Sequence, residues 1–94
     1  EPAVLLAWAT FEALARAVST RQFARPQTPG RVVQVLASDG YLTPTEADLL
    51  RALADKRNRL IHGELHVHAS EQELSSFSAI LEAMLHQVDS QVSG

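Results

Sequence analysis

Thr43-Pro44-Thr45-Glu46-Ala47-Asp48-Leu49-Leu50-Arg51-Ala52-Leu53-Ala54-Asp55-Lys56-Arg57-Asn58-Arg59-Leu60-Ile61-His62-Gly63 reads as one complete helix with both ends written into it. Thr43 offers a side-chain oxygen to the orphan N–H groups of a first turn, and Pro44 suits the first helical position. Glu46, three residues after Thr43, can return a bond to the Thr43 N–H, which completes a capping box. Gly63 fits the position just past the C-terminus, with His62 in the last turn. Between these ends, Leu49, Leu50, Leu53, Leu60 and Ile61 recur at helical spacing and are the predicted buried face.

The same signals recur on either side. Upstream, Val4, Leu5, Trp8, Phe11, Ala15 and Val18 mark the apolar face of a first helix over about Pro2 to Thr20. A polar loop, Arg21 to Thr28, carries several basic residues. Thr28-Pro29 then looks like an N-cap and first turn for a second element over Gly30 to Ser38. Its valines suit a strand as well, but nothing before residue 64 offers a pairing strand, so a helix is predicted. Downstream, residues 64–69 read as extended or irregular. Ser70 and Glu73 form a second capping box. The last helix turns Leu74, Phe77, Leu81, Met84, Leu85 and Val88 inward and fades by about Gln91. The predicted class is all-α: a small antiparallel four-helix bundle with short loops, one domain over residues 1–94. The chain opens on Glu1-Pro2 without an initiator Met, which reads as a fragment or matured product, so neighbouring domains are expected.

Composition limits the chemistry. The 94 residues contain no cysteine, which excludes disulfide frameworks and thiolate metal sites and fits a cytoplasmic protein. Net charge is −3, so no overall basic field draws nucleic acid, and any RNA contact must use a local patch or one shared between copies. No apolar run approaches the ~18 residues of a membrane span, and no membrane partner is expected. A bundle this small gains from burying surface against a partner.

Arg57 is the informative residue. It follows Leu53 by four positions and precedes Leu60 by three, so it sits on or beside the apolar stripe. A guanidinium keeps its charge and needs either a carboxylate or an opening onto a site. Asn58 lies one step round the helix, and His62 lies one turn beyond Asn58. On spacing alone these three also read as a boundary arginine with its stem on apolar surface, a solvated asparagine, and a histidine complementing the helix macrodipole.

The segment Asp55-Lys56-Arg57-Asn58-Arg59-Leu60-Ile61-His62-Gly63 resembles the signature of the HEPN superfamily: an arginine, a polar residue that is often asparagine, about three further residues and a histidine, closing the third helix of a four-helix bundle. Ala7 to Leu14, with Glu12, is similar to the acidic early helix of some members. The layout matches over the whole chain, the specific residues over about 49–63 and more loosely 7–16. The resemblance implies a metal-independent endoribonuclease of the kind found in toxin–antitoxin, CRISPR or phage-defence systems. Its alternative is a catalytically silent module for dimerisation or docking. It also implies a homodimer that pairs two motif copies, with single-stranded RNA as substrate and an antitoxin or neighbouring domain as further partner.

The chemistry stands on its own terms. RNA is cleaved without metal when its 2′-OH attacks the adjacent phosphorus. That needs a group exchanging protons near neutrality, for which histidine is the natural side-chain type. It also needs a cation for the phosphorane charge, which an arginine supplies bidentately. His62, Arg57 and Asn58 are the candidate catalytic residues, with Asn58 orienting either of the others. No cofactor is implied. Glu12, at the edge of the first helix's stripe, either pairs with Arg57 and orients it, or forms an i,i+4 pair with Arg16. Lys56, Arg57 and Arg59, with Arg21 and Arg25, are candidates for a basic RNA-binding patch or a solvated face. His66-Val67-His68 alternates like a strand. With His62 and Glu64 nearby a metal site is conceivable, but such spacing is common by chance, so the segment reads as an exposed loop and no metal ligand is assigned. His86 reads as solvated.

Overall fold

The computed structural model of the chain describes residues 2–20, 22–64 and 66–93. Four helices follow in order: α1 (Pro2–Val18), α2 (Pro29–Ser38), α3 (Pro44–Ile61) and α4 (Glu71–Ser93). They form an all-α four-helix bundle, with no strand among the described residues. No helix is long and apolar enough to cross a membrane.

The caps form as expected. The Thr43 N–H donates to Glu46 Oε1 at 2.9 Å while the Glu46 N–H donates to Thr43 Oγ1 at 3.1 Å. Ser70 and Glu73 repeat this reciprocity at 2.9 and 3.0 Å. The Arg31 N–H reaches Thr28 Oγ1 at 3.3 Å, and α2 begins at Pro29, one residue before the predicted start. Residues 32, 33, 35 and 36 are buried while Arg31 and Gln34 are exposed. That is the i, i+1, i+3, i+4 pattern of a helix face, which settles the valine-rich segment as helix.

α1 stops at Val18 rather than Thr20. The Thr20 hydroxyl donates back to the Arg16 carbonyl at 3.0 Å, and the Phe23 N–H takes the Ser19 carbonyl at 3.1 Å. Local bonds of this kind compete with further helix, and they let the chain turn so that Phe23 enters the core. The Arg21 end of this loop lies outside the described residues.

The core runs from Val4 through Trp8, Phe11, Leu36, Leu50 and Leu53 to Phe77 and Met84, all buried. Trp8, Phe11 and Phe77 form an aromatic triangle between α1 and α4, with centroids 4.9, 6.0 and 6.1 Å apart. These are favourable edge and tilted separations. The Trp8 Nε1 is buried and has no hydrogen-bond partner among the described residues.

Three predicted core residues lie outside. Ile61 is 55% exposed, Leu85 50% and Leu5 39%. Each follows a residue that takes the inward position, namely Leu60, Met84 and Val4, and one step along a helix rotates a side chain by about 100°. In α4 the missing inward residue is Ile80, buried between Phe77 and Met84, with Leu74, Leu81 and Val88 half-buried beside them.

Candidate functional site

The C-terminal end of α3 is closed by its own backbone. His62 is the C-cap, with φ −83° and ψ 10°, and Gly63 turns left-handed at φ +91°. The Gly63 N–H donates to the Leu60 carbonyl and the Glu64 N–H to the Arg59 carbonyl, both at 3.0 Å. This is the Schellman arrangement that satisfies the last carbonyls of a helix. It throws His62 to the surface, where its side chain is exposed.

Three cations crowd the turn before this cap, and they differ in what holds them. Lys56 Nζ donates to Glu73 Oε1 at 2.7 Å, an ion pair with both side chains about three-quarters buried. Arg59 donates through Nε and Nη2 to Glu64 Oε1 at 3.3 Å, bracing the Gly63 turn from outside. Arg57, half-buried between them, has no carboxylate partner among the described residues. Its Nη1 donates to the neutral Oδ1 of its neighbour Asn58 at 3.2 Å. A guanidinium without a carboxylate partner among the described residues, the amide that accepts from it and an exposed imidazole at the C-cap thus lie within six residues at the end of α3.

Glu73 answers to two partners. The Lys56 ammonium, and then the Ser70 backbone N–H, hold its carboxyl below the usual glutamate range. This half-buried contact ties α3 to the start of α4, at the level of the motif.

The pairing expected for Glu12 is not found. Glu12 forms no ion pair with Arg57 or Arg59, nor with Arg16. Arg59 takes Glu64 instead, a carboxylate of its own connection. Glu12 instead lines a cleft of about 340 Å³ with Arg16, Arg25, Phe23, Gln27 and Val32. Arg25 lines this cleft, while Lys56 and Arg59 each have a carboxylate partner and Arg57 has none among the described residues. Arg21, also expected in the basic patch, is outside the described residues.

Residues 66–70 carry no regular structure. Val67 and Ala69 are buried, pinning the connection to the core, while His66 and His68 are exposed. The His68 Nδ1 lies 3.2 Å from the His66 carbonyl. No group of three or more metal-ligating side chains comes together among the described residues. His86 is exposed on α4.

Sequence reasoning missed the cleft of Glu12, Arg16 and Arg25. The one available signal was Phe23, a large aromatic in a loop that otherwise reads as polar. Compared with known proteins, the chain matches no family model, no curated protein and no solved structure.

Proposed function

We propose that the chain is a metal-independent endoribonuclease domain of the HEPN type, acting on single-stranded RNA in the cytoplasm as part of a toxin–antitoxin or phage-defence system. The observation that carries this reading is the contrast at the end of α3: Lys56 and Arg59 each have a carboxylate partner, whereas Arg57 has none among the described residues and His62 stands exposed at the C-cap.

In this reaction His62 accepts the proton of an RNA 2′-OH as that oxygen attacks the adjacent phosphorus. Arg57, steadied by Asn58, neutralises the non-bridging oxygens of the pentavalent species. The bond from phosphorus to the 5′ oxygen breaks, and a second imidazole gives that oxygen a proton. The products are a 2′,3′-cyclic phosphate and a 5′-hydroxyl end. One chain supplies a single such imidazole in the motif, so the complete site is built from two copies meeting at the α3 ends. Ile61, exposed beside His62, provides apolar surface for that meeting. In an obligate pair Ile61→Glu is expected to yield monomers by sedimentation and to abolish cleavage together.

The test is incubation of single-stranded RNA with the protein in excess chelator. Cleavage to cyclic phosphate ends is expected, with loss in His62→Ala and in Arg57→Ala while helicity is kept. Cleavage that survives His62→Ala, or that requires added divalent metal, overturns the mechanism. The second reading, a silent dimerisation module, is favoured by the exposed Ile61 together with the acidic net charge. It becomes the better account if the protein dimerises through α3 and cuts no RNA.

A further inference from the structure

The cleft between α1 and the 22–28 loop holds charges of both signs that form no ion pair among the described residues. Glu12 and Arg16 stand four residues apart in the order that favours a helical ion pair, yet no ion pair joins them. Arg25, across from α1 on the loop, is likewise without a carboxylate partner among the described residues. The space between them, about 340 Å³, is floored by Ala15, Phe23 and Val32, all buried. That volume lies at the lower end of small-molecule sites, and apolar walls with a few convergent polar groups are their usual make-up.

The loop that forms the outer wall is fixed in place. Phe23 is anchored in the core and its N–H is bonded to the Ser19 carbonyl. The Gln22 side chain donates to the Asp39 carboxylate at the end of α2. The start of this wall is therefore held before any ligand arrives, which lowers the cost of ordering it on binding.

We propose that this cleft binds a small zwitterion of the amino-acid class with an apolar side chain. The carboxylate meets Arg16 and Arg25, the ammonium meets Glu12, and the side chain lies over Ala15, Phe23 and Val32. A simple anion would satisfy the arginines but face the Glu12 carboxylate, and a simple cation would meet the reverse. A molecule carrying both charged groups on one carbon answers all three groups, and the apolar floor selects a leucine-like body over a polar one.

The test titrates the full chain with L-leucine, leucinamide and 4-methylpentanoate, followed by backbone amide NMR shifts. Leucine is expected to bind saturably below ~10 mM and to shift residues 12–16 and 22–27. 4-Methylpentanoate, lacking the ammonium, is expected to bind about tenfold more weakly, the loss of one charge-assisted contact, and leucinamide, lacking the carboxylate that meets both arginines, more weakly still. Glu12→Gln and Arg25→Gln should each reduce leucine binding by about tenfold. Glu12→Gln is isosteric and Arg25 is exposed, so both variants should keep the helicity of the parent. No saturable shift with leucine overturns the proposal. So does 4-methylpentanoate binding as tightly as leucine, or leucine affinity unchanged in both variants. None of these results depends on RNA cleavage.

Discussion

Arg57 and its neighbours Lys56 and Arg59 carry the same charge and meet different fates. Their substitutions should therefore separate stability from activity. Lys56→Ala strips a half-buried carboxylate of its 2.7 Å partner and is expected to cost about 1 kcal/mol, a charged hydrogen bond discounted for partial solvation. RNA cleavage in that variant should persist. Arg57→Ala leaves no carboxylate stranded, so thermal melts should place it within about 0.5 kcal/mol of the parent, while cleavage disappears. Equal destabilisation in the two would assign Arg57 a structural part instead. The placement of Arg57 and Asn58 in the last turns of α3, with His62 at its end, was legible because helical geometry fixes their spacing. The partners were not. Which carboxylate reaches which cation depends on how neighbouring helices are rotated and on how a connection folds back. Periodicity specifies neither, so it leaves Glu12 open between Arg57 and Arg16, whereas in the fold Glu64 and Glu73 hold the cations beside Arg57 and Glu12 lines a different cleft.

At the scale of the helix, the local signals were reliable because each is completed within a few residues. Thr43 with Glu46, Ser70 with Glu73, and Gly63 all do what their types imply. Gly63→Ala isolates the backbone term: a Cβ there meets nothing within 4 Å, yet the residue sits at φ +91°. The left-handed conformation should cost about 1–2 kcal/mol, read as a lower denaturant midpoint. Glu73 gives the α3–α4 contact a pH signature. Its carboxyl is held below its ordinary range. Its contribution is thus full above the unfolded glutamate pKa and is lost as pH falls through the lowered folded value. As pH falls below the ordinary glutamate value of 4.5 the parent should lose more stability than Glu73→Gln, and the two denaturation curves should converge in acid. Equal pH dependence would show that the carboxylate contributes nothing. Helix faces were legible only to within one position. An apolar pair such as Leu60-Ile61 or Met84-Leu85 straddles the edge of a stripe, and only the packed neighbour decides which member turns in.

For the molecule as a whole, the number and order of helices followed from the caps, whereas the seam that joins α1 to α4 did not. That seam rests on Trp8, Phe11 and Phe77. Phe77→Ala empties a fully buried site and is expected to cost about 3–5 kcal/mol, a large part of the stability of a domain this size. Chemical denaturation that leaves the midpoint unchanged would show that the seam is dispensable. The chain's single tryptophan stands in this seam, shielded from water, with its indole N–H unbonded among the described residues. The molecule thereby carries its own optical reporter. Indole emission moves to longer wavelength when water reaches the ring, so a red shift will register α1 lifting from α4 even while both remain coiled and circular dichroism is silent. Any ligand, partner copy or substitution that loosens or tightens that one joint becomes visible without a label.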